Sequence, residues 1–169
     1  MASNGTLVKI ENLSVQYKTR AGWVSAIDNV TLEINRGEVV GLVGESGCGK
    51  STLGKALLRM LPPSSRTGGH IWFGGQDLTT LSNGEMRKVR GSKISMVFQD
   101  PMTSLNPVQR VGDHIVETIR THQPDVSKEA ALARAGELFD RLGVSRNRLQ
   151  DYPHQLSGGM RQRVMIAIA

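Results

Sequence analysis

Apolar and polar residues alternate along the first 35 positions of the chain, which is typical of β-strands with one buried face. The alternation predicts strands over residues 7–17 and 24–34, with turns at residues 18–22 and 35–37. A continuous apolar run at residues 39–43 instead predicts a short strand that is buried on both faces. The N-terminal part of the chain is therefore expected to be rich in strands.

Between residues 50 and 98 the pattern predicts one long helix and two further strands. Apolar residues three and four positions apart place the helix at residues 50–61, and Pro62 would end it. Short apolar runs predict strands at residues 71–73 and 94–98. The second of these is also expected to be buried on both faces of a parallel sheet.

Capping residues predict the remaining helices. Ser82 and Glu85 form a capping box for a helix that runs to about residue 90. Two helices are expected at residues 111–121 and 127–142, and the second lies between the N-cap Ser127 and Gly143. A last helix begins near residue 157. The chain is thus expected to be an α/β protein with a β-rich core at about 1–99, a helical region at about 100–156 and the start of a helix at 157–169.

Composition changes this picture mainly by exclusion. Hydrophobic residues make up 38% of the 169 positions, and no apolar run approaches the roughly 20 residues of a membrane helix. Neither a signal peptide nor a second cysteine is visible, so a location in the cytosol or on a cytosolic membrane face is expected. The net charge is +6, but basic residues are scattered and aromatic residues are only 4%, so no nucleic-acid partner is expected.

The clearest chemical signal is the octapeptide Gly-Glu-Ser-Gly-Cys-Gly-Lys-Ser at positions 44–51, which fits the phosphate-binding loop G-x-x-x-x-G-K-[ST]. Its glycines let backbone N–H groups surround phosphate oxygens at a helix N-terminus, its lysine reaches the β- and γ-phosphates, and its serine can bind Mg²⁺. By itself the motif does not distinguish an ATPase from a GTPase or a kinase. The predicted nucleotide-binding residues are Gly44, Glu45, Ser46, Gly47, Cys48, Gly49, Lys50, Ser51 and Thr52.

Two weaker signals lie further along the chain. Ser157 can cap the last helix, and Gly158 and Gly159 expose N–H groups beside it, which predicts a second anion site. Taken alone, these residues fit an ordinary serine-capped helix equally well. Gln99 follows the predicted strand at 94–98, where its amide could contact Mg²⁺ or an attacking water, although alone it is an ordinary loop glutamine.

In this order, the loop at 44–52, Gln99 and the Leu-Ser-Gly-Gly-Met segment at 156–160 resemble the P-loop, Q-loop and signature of the ATP-binding cassette (ABC) family. The resemblance covers essentially the whole chain and implies an ATPase that uses ATP and Mg²⁺. It implies catalytic roles for Lys50 and Gln99, Mg²⁺ contacts from Ser51 and Gln99, and nucleotide contacts from Ser157, Gly158 and Gly159. It also implies that Tyr17 stacks on adenine, where the alternative is a tyrosine on a sheet face.

Segments 90–107 and 152–168 resemble, more narrowly, the oligopeptide, dipeptide and nickel importer branch of that family. This resemblance implies a peripheral subunit on the cytoplasmic face of a bacterial inner membrane. Its implied partners are a second ATPase subunit, identical or different, and a permease that receives cargo from an extracytoplasmic binding protein. The residues do not distinguish peptides from nickel or another small solute.

One part of the family pattern is not found. The family has a Walker B strand that ends in Asp-Glu after the signature helix, followed by a histidine, whereas this sequence stops at Ala169 inside that helix. The chain is therefore expected to be an N-terminal fragment that is inactive alone. The alternatives are an ABC ATPase without a transport role, which should lack the loop at 99–107, and a non-catalytic nucleotide-binding fragment.

Overall fold

A computed structural model describes residues 5–99 and 104–169, which belong to two compact units, Met1–Arg87 and Lys88–Ala169. The first unit is built on an antiparallel sheet with the strand order β2-β1-β3-β4. Both long N-terminal strands are confirmed, and the third strand is longer than its apolar run predicted. The strands are β1 (Thr6–Thr19), β2 (Gly22–Asn35), β3 (Ser65–Phe73) and β4 (Gln76–Asp77).

The first helix, α1 (Lys50–Leu57), packs against β2. The alternation seen in the sequence explains this packing, because it places the apolar side chains of β1 on one face of the sheet. Ile10 and Val15 of β1 are fully buried there, and α1 buries Leu53 and Ala56. These contacts hold the start of α1, and with it the loop at 44–49, beside the sheet.

The helix α1 ends at residue 57, four residues earlier than predicted. Arg59 adopts a left-handed backbone (φ 49°), so the N–H groups of Arg59 and Met60 donate to the carbonyls of Ala56 and Lys55 (2.9 and 2.8 Å). This Schellman arrangement satisfies the last carbonyls of the helix before the prolines are reached. It also uses an arginine where glycine is usual, which the sequence pattern did not reveal.

Two predicted strands are wrong. Residues 39–43 are irregular, and the Val39 and Val43 side chains are 96% and 94% exposed. Residues 95–98 are irregular as well, and residue 94 forms only an isolated bridge to Arg90. A parallel strand buried on both faces depends on hydrogen-bonded neighbours. The described residues provide no such neighbour for either segment.

The second unit is helical and has its own core. Phe139 lies at its centre, fully buried among residues that include Ile115, Val144 and Val164. The helices are α3 (Val111–His122), α4 (Lys128–Arg141) and α5 (Gly158–Ile168), with 3₁₀ turns at Arg146–Gln150 and Pro153–Gln155, and α2 (Asn83–Val89) crosses the boundary between the units.

The predicted helix caps are confirmed. Ser82 and Glu85 exchange the two hydrogen bonds of a capping box at the start of α2. The Ser127 hydroxyl accepts from the N–H of Ala130 (3.1 Å), and α4 closes at Gly143 with a left-handed φ of 66°. Among the residues that the structure describes, no helix has the length and apolarity required to cross a membrane.

Candidate functional site

The loop at 44–49 leads into α1 through two glycines with left-handed backbones, Gly47 (φ 86°) and Gly49 (φ 99°). A Cβ on Gly49 would lie 2.5 Å from the carbonyl oxygen of Ala26 in β2, closer than real Cβ atoms approach other atoms. A Cβ on Gly47 would meet nothing within 4 Å. Gly49 is therefore required by the close approach of the loop to β2, whereas the space beside Gly47 is open.

Lys50, the first residue of α1, folds back over the loop. Its Nζ donates to the carbonyl oxygens of Gly44 (2.7 Å) and Glu45 (2.6 Å) and lies 3.5 Å from the Cys48 Sγ. Within the described residues, the ammonium has no carboxylate partner. A positive charge is thus held over the loop by neutral acceptors, two carbonyls and a thiol sulfur, which leaves the charge available to an anion.

The N-terminus of α1 adds to this positive character. Gly49 is the N-cap and carries no side chain, so no side-chain oxygen caps the first turn. Helix N–H groups that lack such a cap, together with the helix dipole, favour an anion at this position. The uncapped helix start, the lysine ammonium and the open space beside Gly47 together fit a phosphate group.

Tyr17 lies next to the loop. It is half-buried in β1, and its hydroxyl donates to the Thr52 Oγ1 (3.3 Å). A cavity of about 280 Å³ borders the same loop, between β2 and the start of α1, and its lining includes Ala26, Val30, Leu42, Cys48, Lys50 and Leu53. The structure therefore brings Tyr17 and the phosphate-binding loop together within the first unit.

The signature residues lie in the second unit, at the start of α5. The Ser157 hydroxyl accepts from the N–H of Met160 (3.3 Å), so the predicted cap is present. Gly158 and Gly159 are exposed, and a Cβ on either would meet nothing within 4 Å. The packing of the chain itself therefore does not require glycine at these two positions.

Gln99 also belongs to the second unit, where it is exposed at the end of the irregular segment 95–99. The four residues that follow it, Asp100 to Thr103, were part of the predicted Q-loop and lie outside the described residues. In the described parts of the chain, no three His, Cys, Asp or Glu side chains are grouped so that they could hold a metal ion.

One residue of the signature helix was missed by the sequence analysis. The Arg163 guanidinium donates to the carbonyl oxygens of Leu142 (3.0 Å) and Gly143 (3.1 Å) at the end of α4. No local pattern indicates this contact, because Arg163 and Gly143 are 20 residues apart in the sequence. The only signal is a general one: carbonyls at the end of a helix need donors from outside the helix.

Curated relatives were found along nearly the whole chain. The oligopeptide transport ATP-binding protein OppD of Bacillus subtilis is 46% identical over 167 residues, which cover 96% of this chain and 46% of that protein. The dipeptide transport ATP-binding protein DppD of the same organism is 44% identical over 167 residues, which cover 96% of this chain and 50% of that protein. The chain therefore spans about half the length of these relatives.

Solved structures match as well. The dimeric structure of MJ0796, described as a bacterial ABC transporter cassette, is 29% identical in sequence and has a TM-score of 0.85. The match covers 96% of this chain and 68% of the MJ0796 chain. The same cassette in a post-hydrolysis state bound to ADP and Pi is 28% identical with a TM-score of 0.83. The α/β fold expected from the sequence is thus confirmed as that of an ABC cassette. Since the ABC transporter family also matches residues 27–169, this chain belongs to the ABC transporter family.

Proposed function

We propose that this chain is the ATP-binding part of a motor subunit that hydrolyses ATP to drive a bacterial importer of peptides or related small solutes. The observation that carries the proposal is the Lys50 ammonium, held over a glycine loop at an uncapped helix N-terminus with no carboxylate partner among residues 5–99 and 104–169. This arrangement offers a positive charge and backbone donors to one polyphosphate. The names of the peptide-transport relatives support the choice of cargo class.

The predicted site residues of the first unit then each have a role in holding nucleotide. The N–H groups of residues 47–52 donate to phosphate oxygens, and Lys50 exchanges its two carbonyl acceptors for the β- and γ-phosphates. The Ser51 hydroxyl contributes an oxygen to Mg²⁺, a cation that prefers oxygen ligands and neutralises charge on the phosphates. Tyr17 stacks on adenine, a role supported by the contact of its hydroxyl with Thr52.

The second unit supplies the groups that respond to nucleotide. Ser157, Gly158 and Gly159 serve the nucleotide of a second ATPase subunit, and the open space around both glycines supports an approach from outside the chain. The dimeric state of the MJ0796 cassette supports the same pairing. Gln99 contacts Mg²⁺ or the attacking water and couples ATP to a permease through the loop that follows it.

These roles place the subunit on the cytoplasmic face of the inner membrane, bound to permease subunits that a binding protein supplies with cargo. We assign residues 1–99 to the nucleotide-binding core, which by this functional division includes residues 88–99 of the second compact unit, and residues 100–156 to a helical subdomain, with the signature helix from 157.

The test compares two lysines of α1 in the complete protein. Lys50→Ala removes the cation over the loop and should lower ATP hydrolysis at least about 100-fold while weakening nucleotide binding. Lys55→Ala, in the last turn of the same helix, is the matched control and should retain activity. Steady-state ATPase activity and binding of a fluorescent ATP analogue are measured. Unchanged hydrolysis in the Lys50 variant would refute the assignment.

A further inference from the structure

Arg163 connects the signature helix to the end of another helix. Its Nη1 donates to the carbonyl oxygens of Leu142 and Gly143, just after α4 ends. Carbonyls at a helix C-terminus lack donors within the helix and carry a partial negative charge. A guanidinium satisfies both needs, because it is a permanent cation with several N–H donors in one plane.

The apolar contacts of α5 set which face of the helix meets the core of the second unit. Val164 and Met165 are buried in that core, and further apolar residues of the helix pack against it, while Ile166 is 46% exposed on another side. Because apolar packing is non-directional, it tolerates small rotations and shifts. Hydrogen bonds from a planar guanidinium to two successive carbonyls are directional and restrict such movements.

We infer that Arg163 is a positioning residue for ATP hydrolysis: by fixing α5 on the end of α4, it aims the first turn of α5 at the phosphates held by a partner subunit. The inference rests on the function proposed above for Ser157, Gly158 and Gly159. Arg163 follows Gly159 by four residues, about one helical turn, so its hydrogen bonds to the end of α4 lie close to the groups that they orient. A misplacement of about 1 Å in such groups can cost up to about 100-fold in rate.

The experiment uses the complete ATPase assembled with its permease and replaces Arg163 by Gln or Lys. Arg163→Gln should lower kcat about tenfold or more, while KM and the affinity of one subunit for trinitrophenyl-ATP stay within about twofold. Arg163→Lys should recover part of the loss, since both hydrogen bonds leave one nitrogen and an ammonium can donate to the same carbonyls from a shorter side chain. Such recovery indicates that donation to these carbonyls, rather than the guanidinium itself, positions the helix.

Arg146→Gln is the matched control. Arg146 pairs with the Asp140 carboxylate near the same end of α4, with both side chains about half exposed. Its replacement should leave kcat within about twofold, because this ion pair joins α4 to the 3₁₀ turn at Arg146–Gln150 and includes no residue of α5. Melting temperatures are recorded for all variants so that a loss of folding is recognised.

The inference is overturned if Arg163→Gln hydrolyses ATP at the wild-type rate. It is also overturned if kcat and nucleotide affinity fall together with the melting temperature, or if Arg146→Gln lowers kcat equally. Lys50→Ala is assayed in the same series. Retained activity in that variant would remove the proposed function and this inference with it, whereas an inactive Lys50→Ala beside a fully active Arg163→Gln would remove the inference alone.

Discussion

Two helix N-termini of this chain contain glycine, and they are built in different ways. The N-cap of α1 is Gly49, which has a left-handed backbone and no side-chain cap. The N-cap of α5 is Ser157, whose hydroxyl already accepts from the N–H of Met160. The N–H groups in the first turn of α1 therefore have no side-chain acceptor at the N-cap, while in α5 the N-cap serine accepts from one of them.

The reasons for having glycine at the two helix starts also differ. At Gly49 a Cβ would approach the Ala26 carbonyl oxygen to 2.5 Å, so the requirement for glycine comes from within the chain. At Gly159 a Cβ would meet nothing, so any such requirement must come from a molecule that approaches from outside. The same local pattern, glycine at the start of a helix, can therefore serve internal packing or external recognition, and only the surroundings of each glycine distinguish the two.

The largest expected effect tests external recognition at α5. Gly159→Asp places a carboxylate where the partner's phosphates are proposed to lie, so hydrolysis in the complete transporter should fall at least about 100-fold. ATP binding to a single subunit should remain nearly intact, because the phosphate-binding loop is unchanged. Both quantities are measured on the same preparation, and normal ATPase activity would show that this helix start faces no phosphate.

A smaller effect is expected at Gln99. Gln99→Ala in the complete transporter should lower cargo-stimulated hydrolysis by about tenfold and nucleotide affinity much less, because the amide is proposed to couple the site to the permease. Gln109→Ala is a suitable control, since its amide contacts Glu117 on the surface of the helical unit. An equal loss of stimulation and affinity at Gln99 would indicate a purely local metal contact.

The free energy of unfolding should change differently when Gly49 and Gly159 are each replaced by alanine. Gly49→Ala should lower the free energy of unfolding by about 1–3 kcal/mol, because the left-handed backbone and the Ala26 carbonyl both oppose a Cβ. Gly159→Ala should leave that free energy unchanged or raise it by up to about 1 kcal/mol, since it restricts the unfolded chain without a clash. Urea denaturation measures both, and a destabilised Gly159→Ala would contradict the open surroundings described here.

The smallest effect concerns Cys48, which is exposed and lies 3.5 Å from the Lys50 ammonium. A nucleotide in the loop should slow alkylation of this thiol several-fold by covering it. Labelling rates with and without Mg-ATP are compared in the wild type and in Lys50→Ala, where protection should disappear. Equal rates in the wild type would place the phosphates elsewhere.

The sequence predicted those parts of the structure that depend on neighbouring residues. The β1–β2 hairpin, the capping box of Ser82 and Glu85, and the limits of α4 each follow from residues a few positions apart, and the structure confirms them. The predicted strands at 39–43 and 94–98 are wrong because a buried strand needs partners that no local pattern contains. The roles assigned to Gln99 and the signature residues stay predictions.

By itself, the sequence determined that the chain carries the pattern G-x-x-x-x-G-K-[ST] at a helix start, a second glycine-led helix and the order of elements that the ABC family shares. The tertiary structure alone decided why Gly49 must be glycine, where the Lys50 ammonium rests, and that Arg163 reaches the end of α4. The physical reason is distance along the chain. Motifs, caps and turns act within a few residues, whereas a carbonyl of β2 or α4 meets its partner only after the chain has folded back on itself.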